Sequence, residues 1–116
     1  MSRNTWHIQR DGARLTLSRR LPARFDVMAS TEFPTMGRGR LARQIRQDLW
    51  RLLKGLRGFS PVIQIDATET GLQVSAGGSM LASTPVPKGT VARIQALLDC
   101  PAHRRRWLAW AQERGQ

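Results

Sequence analysis

Residues 38–57, RGRLARQIRQDLWRLLKGLR, predict an amphipathic helix that ends before Gly58. At about 100° per residue, the apolar side chains fall within roughly one third of the helical wheel. They are Leu41, Ile45, Leu49, Leu52, Leu53 and Leu56. This apolar stripe is expected to face a hydrophobic core. Gly55 lies inside the predicted helix, where it costs about 1 kcal/mol relative to Ala.

The opposite side of the predicted helix is strongly basic, and we call it the cationic face. It comprises Arg40, Arg43, Arg46, Arg51, Lys54 and Arg57, with Trp50 near its middle and Asp48 close to its border. Ordinary solvated helix faces mix both signs of charge, whereas one acid here accompanies seven basic residues between Arg38 and Arg57. The cationic face therefore predicts contact with a polyanion. The alternative is a solvated face that only keeps the helix soluble.

The whole chain carries the same excess of positive charge. Its 116 residues include 19 basic and 8 acidic residues, which give a formal net charge of +11, and 17 of the 19 basic residues are Arg. Arg grips phosphate bidentately and stacks on bases, whereas Lys acts as a hydrated point charge. A GC-rich genome would also favour Arg codons, but codon usage does not explain the shortage of acids. The excess favours an anionic partner.

A β-hairpin is predicted at the start of the chain. Trp6 to Arg10 and Ala13 to Arg19 flank Asp11-Gly12, a strong two-residue turn signal. A turn at this dipeptide places Ile8 opposite Leu15 and Trp6 opposite Leu17, so that the apolar side chains share one face. The other face then carries His7, Gln9, Arg14 and Thr16.

The segment from Leu21 to Gly39 contains two prolines and two glycines, and it is interpreted as an irregular connection. Phe25, Val27 and Phe33 are expected to attach this connection to the core.

A second hairpin is predicted after the helix, with strands at Val62–Thr68 and Leu72–Ala76 around a turn at Thr70-Gly71. This turn places Ala67 opposite Val74 and Ile65 opposite Ala76. Gly77-Gly78 is expected to interrupt the second strand. Residues 79–83 then form either a short fifth strand or a loop.

The C-terminal part predicts two helices separated at Asp99-Cys100-Pro101. Val91, Ile94, Leu97 and Leu98 make the apolar stripe of the first helix, with Thr90 as its N-cap. In the second helix Trp107, Trp110 and Ala111 share a face, and at least one of the two tryptophans is expected in the core. Arg105 and Arg106 point elsewhere and are candidates for binding phosphate.

Together these elements predict a single basic domain over residues 1–116, in the order ββαββαα. The expected fold class is α+β, with two layers: an antiparallel sheet of two hairpins, covered on one face by helices.

Catalytic and metal-binding patterns are weak in this sequence, and no enzyme, cofactor or metal site is predicted. His7 and His103 are the only histidines, and neither lies in a nucleophile or metal motif. Asp66 and Glu69 are better explained as solubilising residues than as ligands of a nuclease metal. The single Cys100 excludes an intrachain disulfide. The chain has no apolar run of membrane-spanning length, and a cytoplasmic location is expected.

The leading functional hypothesis is a small nucleic-acid-binding protein, a regulator or accessory factor of bacterial type to judge by its size and Arg usage. DNA is slightly favoured over RNA because an exposed cationic helix can enter a major groove. The predicted binding residues are Arg40, Arg43, Arg46, Trp50, Arg51, Lys54, Arg57, Arg105 and Arg106.

Other partners for the cationic face, and other environments for Trp50, stay open at this stage. The Arg/Trp face could instead dock onto an acidic protein partner, since Arg and Trp are common interface anchors. Trp50 itself has three possible environments: nucleic acid, a protein partner, or packing within its own chain. Attachment to anionic lipid fits less well, because the apolar stripe is needed for the core.

Overall fold

A computed structural model describes residues 6–81 and 84–113, and it has a five-stranded antiparallel sheet with three helices. The α+β fold with helices packed on the sheet is confirmed. The elements in chain order are β1 (His7–Asp11), β2 (Arg14–Ser18), β3 (Val27–Phe33), α1 (Arg38–Leu53), β4 (Ser60–Ala67), β5 (Leu72–Ser79), α2 (Thr90–Asp99) and α3 (Pro101–Glu113). The strands are arranged β1-β2-β4-β5-β3 across the sheet.

The core lies between one face of the sheet and the helices. The strand pairing places Leu15, Ile65 and Val74 side by side on that face, and all three are fully buried. The predicted apolar stripe of α1 covers them, since Leu41, Ile45 and Leu49 are also fully buried. Helix α3 adds Trp107, and α2 adds Ile94 and Leu98.

Strand β3 corrects the prediction of an irregular connection between Leu21 and Gly39. It pairs with β5 from Val27 opposite Gly78 to Phe33 opposite Leu72, and it forms one edge of the sheet. Val27, Ala29 and Phe33 are buried at alternate positions, as a half-buried strand requires. The prolines and glycines that indicated a loop all lie outside these seven residues.

The first hairpin has the predicted faces but a different register. Ile8 lies opposite Leu17 rather than Leu15, and the two turn residues are Gly12 and Ala13 instead of Asp11-Gly12. Gly12 adopts a φ of 60°. A turn with Gly at its first central position needs a positive φ there alone, whereas an Asp11-Gly12 turn of type I′ would need Asp11 to adopt one as well. The shift of two residues leaves every side chain on its predicted face.

The second hairpin shows the same kind of difference. Ile65 lies opposite Val74 rather than Ala76, and residues 68–71 form a four-residue loop. Thr68 closes this loop: its backbone N–H donates to the Gly71 carbonyl at 2.8 Å, and its Oγ1 accepts from the Gly71 N–H at 3.1 Å. The strand pairing is therefore shifted by two residues from the prediction, and Thr68 stabilises the loop that accompanies this register.

Gly77 and Gly78 continue strand β5 instead of interrupting it. They pair with Met28 and Val27 on one side and with Val62 and Pro61 on the other. A Cβ atom at Gly77 would overlap the Val27 carbonyl oxygen. These glycines therefore allow a close approach of neighbouring backbones. Strand β5 ends at Ser79, and residues 80–81 are not in a strand. Residues 82–83 of the segment predicted as either a short strand or a loop lie outside the described residues.

Two helix ends also differ from the prediction. Helix α1 ends at Leu53, so Gly55 and Arg57 lie in the following turn and Lys54 is the C-cap. Helix α2 has Gly89 rather than Thr90 at its N-cap, and the Thr90 hydroxyl donates to the Pro87 carbonyl at 2.8 Å. Val91, predicted in the apolar stripe of α2, is exposed.

Candidate nucleic-acid interface

The cationic face remains accessible to solvent in the folded chain. Arg40, Arg43, Lys54 and Arg57 are exposed. Among the side chains of residues 6–81 and 84–111, none of these four has a carboxylate within ion-pair distance. Their positive charge is therefore not neutralised by the side chains in those ranges.

One border of the cationic face is a cleft that we call the Trp6–Trp50 cleft. It is lined by Trp6, Arg19, Arg46 and Trp50 and has a volume of about 430 Å³. Trp6 precedes β1 and Arg19 follows β2, so the open end of the first hairpin forms one wall of the cleft. Helix α1 forms the other wall with Arg46 and Trp50. Trp50, predicted near the middle of the cationic face, lines this cleft and is 40% exposed.

The guanidinium of Arg46 lies over the Trp6 ring, with its Cζ atom 4.6 Å from the ring centroid. Arg19 also lies over Trp6, at 5.6 Å. Partial burial of Arg46, together with repulsion from Arg43, lowers the pKa of Arg46 below its usual value. Cation–π contact with Trp6 compensates for part of the lost hydration. The charge of Arg46 is thus held in a defined place at the wall of the cleft.

A second cleft lies between α1 and α3, at the cationic face. It is lined by Arg40, Arg43, Gln44 and Trp110 and has a volume of about 350 Å³. Trp110 is 47% exposed, whereas Trp107 is fully buried. The prediction that at least one of these two tryptophans belongs to the core is therefore confirmed.

Asp48 joins α1 to α3, and it engages two of the predicted phosphate-binding residues. Its side chain is 6% exposed and accepts a hydrogen bond from the Trp107 indole N–H at 2.7 Å. Arg106 forms an ion pair with Asp48, and Arg51 approaches the same carboxylate at 3.3 Å. Arg106 is therefore committed to the α1–α3 interface. Arg51 is a member of the cationic face, and its side chain stays exposed although it approaches Asp48.

The basic run from His103 to Arg106 does not form one surface. Arg104 binds the edge strand β3, donating to the Glu32 carbonyl at 2.6 Å and to Thr31 Oγ1 at 2.9 Å. Arg105 is exposed, and its position two residues before Trp107 turns it to the side of α3 opposite the core. Arg105 therefore does not share the side of α3 on which Trp107 contacts α1.

Sequence reasoning did not include Trp6 and Arg19 among the candidate binding residues. Both belong to the apolar face of the first hairpin, and their nearness to α1 depends on how that hairpin packs against the helix. The available signal was Trp6 itself, a large aromatic residue at the open end of a hairpin where an arginine follows the partner strand.

The chain matches no protein-family model, and no match was found among characterised proteins or solved structures. No helix among the described residues has both the length and the apolarity needed to cross a bilayer. The same residues contain no group of three side chains suited to holding a metal ion.

Proposed function

We propose that this protein binds nucleic acid through the cationic face of α1, acting as a small regulator or accessory factor. The observation that carries the proposal is that Arg40, Arg43, Lys54 and Arg57 lie on one exposed surface and have no acidic partner among the side chains of residues 6–81 and 84–111. Two exposed arginines away from this face are instead paired: Arg14 with Asp66 at 2.7 Å and Arg24 with Asp26 at 3.0 Å.

The arrangement favours a phosphate backbone over isolated anions. Arg40 and Arg46 are six residues apart in one helix, a rise of about 9 Å, and Lys54 and Arg57 extend the positive surface beyond the helix end. A chain of phosphates can contact several such groups at once and release the associated counterions. Trp50, which is 40% exposed beside these cations, provides a surface for a base or a sugar.

The proposal can be tested by fluorescence anisotropy with labelled duplex DNA, single-stranded DNA and structured RNA at several salt concentrations. The Arg43→Ala/Arg46→Ala/Lys54→Ala variant is expected to bind at least about tenfold more weakly, because each lost phosphate contact reduces counterion release. The matched control is Arg14→Ala/Arg24→Ala/Lys88→Ala, which removes the same charge away from the cationic face and should bind like the wild type. Circular dichroism would establish that both variants are folded.

Two results would contradict the proposal. Equal weakening in both variants would show that only net charge matters and that the cationic face is not the binding surface. Failure of the wild type to bind any of the three nucleic acids at about 100 mM salt would favour the acidic protein partner instead.

A further inference from the structure

We propose that the Trp6–Trp50 cleft binds an unpaired base of a single-stranded nucleic acid, with Trp50 stacking on the base and Arg46 binding an adjacent phosphate. This inference rests on the proposed function and specifies its ligand.

Trp50 is the stacking residue in this cleft. Its indole is 40% exposed although the residue is large and apolar, and it lies in a recess of about 430 Å³ rather than on a flat surface. Such a residue fits the pattern of aromatic side chains on which bases stack, and each stacked base strengthens binding without requiring a particular sequence. Bases inside a duplex are already covered on both faces by their neighbours, so an unpaired base is the natural occupant.

Trp6 is a positioning residue for the phosphate-binding arginine. The Arg46 guanidinium lies 4.6 Å from the Trp6 ring centroid, which holds the charge beside Trp50 before any ligand arrives. A group that is already ordered loses less conformational entropy on binding than a free surface side chain. The face of Trp6 under Arg46 is occupied by this contact, which leaves Trp50 as the ring available to a base.

An anion bound in the Trp6–Trp50 cleft would stabilise the positive charge of Arg46. Arg46 is partly buried and lies near Arg43, and both conditions disfavour its charged form. A phosphate in the cleft would remove this repulsion and bind a guanidinium that has already lost part of its hydration. A stacked base and a neighbouring phosphate occur together in any single-stranded nucleic acid.

The flanks of α1 argue against a duplex major groove at this site. A helix with its side chains has a diameter of about 10–12 Å, and the major groove of B-DNA is about 12 Å wide. A reading helix therefore needs both flanks free. Here Trp6 forms a cleft with one flank of α1 and Trp110 forms a cleft with the other.

The test compares two labelled twelve-nucleotide strands of equal charge, oligo(dT) and an abasic strand that has the sugar–phosphate chain without bases. The wild type should bind oligo(dT) at least about fivefold more tightly than the abasic strand, the lower range expected for one stacked base. Trp50→Ala should bring this ratio close to one without changing affinity for the abasic strand. Trp50→Phe keeps an aromatic ring and should retain most of the preference.

Trp110→Ala is the matched control, since Trp110 has a similar exposure of 47% but lies in the other cleft. It should leave the ratio unchanged. A ratio near one in the wild type, or a ratio that depends on Trp110 instead of Trp50, would overturn the inference while binding of the abasic strand still supported the proposed function. Absence of binding to both strands and to duplex DNA would overturn the proposed function as well.

Discussion

At the scale of single residues, Asp48 links the cationic face to the core. Its buried carboxylate accepts a hydrogen bond from the Trp107 indole N–H at 2.7 Å. The same carboxylate forms ion pairs with Arg106 and Arg51, whose side chains are partly exposed. His103 stacks on Trp107 with ring centroids 5.7 Å apart, and its Nδ1 lies 3.7 Å from the Asp48 carboxylate. One acid on an otherwise basic helix thus fixes the position of α3. Asp48, predicted close to the border of the cationic face, therefore makes a structural contact between α1 and α3.

Asp48→Ala should destabilise the protein by about 2–4 kcal/mol, because it leaves the buried Trp107 N–H without an acceptor and removes the partner of Arg106. Chemical denaturation in urea at neutral pH would measure the loss. Asp66→Ala serves as the control, since Asp66 pairs with the exposed Arg14 at the surface and should cost much less. Similar losses in the two variants would show that Asp48 does not join α1 to α3 as described.

Asp26 gives a prediction for pH dependence. Its carboxylate accepts from Arg24 at 3.0 Å and from the Met80 backbone N–H at 2.7 Å, and these contacts lower the pKa of Asp26 below its ordinary value of 3.8. A lowered pKa in the folded state gives stability that is present above the ordinary pKa and is lost as the pH falls through the folded value. The stability difference between wild type and Asp26→Asn, measured in urea, should therefore shrink between pH 6 and pH 3. An equal difference at both pH values would contradict this explanation.

At the scale of elements, side-chain patterns predict which face of a strand is buried better than they predict which residues pair across neighbouring strands. Ile8, Leu15 and Leu17 alternate along their strands, so the buried face of the first hairpin could be predicted from the sequence. The register could not, because a shift of two residues preserves the alternation and only the backbone of the turn distinguishes the two pairings. The β3 strand was missed for a related reason: Met28, Ser30 and Glu32 dilute its apolar character, and its pairing with β5 is distant in sequence.

Strand β5 provides a prediction on backbone packing. Gly77→Ala should destabilise the protein by about 2 kcal/mol or more, because its Cβ would overlap the Val27 carbonyl oxygen and a paired strand cannot easily move aside. Gly55→Ala is the matched control: Gly55 lies in the turn after α1, a Cβ there meets nothing within 4 Å, and its φ is not positive. This control should be neutral or stabilising by about 0.4–1 kcal/mol. Thermal unfolding of both variants would decide whether Gly77 is required by close strand packing, and equal melting temperatures would show that it is not.

At the scale of the whole molecule, the sequence predicted the charge of the cationic face but not the shape of the surface around it. Helical spacing alone placed Arg40, Arg43 and Lys54 on one solvent-facing side, and the fold leaves them exposed. It could not show that Arg106 is held by Asp48, since that contact joins residues 58 positions apart. The same limit applies to the Trp6–Trp50 cleft, whose two walls come from different elements.

The salt dependence of binding tests how much of the cationic face contacts phosphate. If Arg40, Arg43, Arg46, Lys54 and Arg57 each neutralise one phosphate of a single strand, the slope of log affinity against log salt should be about −3.5. Affinity should then fall roughly a hundredfold between 50 and 200 mM salt. Removing three of these cations in Arg43→Ala/Arg46→Ala/Lys54→Ala should reduce the slope to about −1.4, whereas Arg14→Ala/Arg24→Ala/Lys88→Ala should keep the wild-type slope.

Titrations of oligo(dT) at four salt concentrations would measure these slopes. A triple variant with the wild-type slope would mean that the phosphates lie on another surface, because counterion release depends on the cations in contact and not on the net charge of +11.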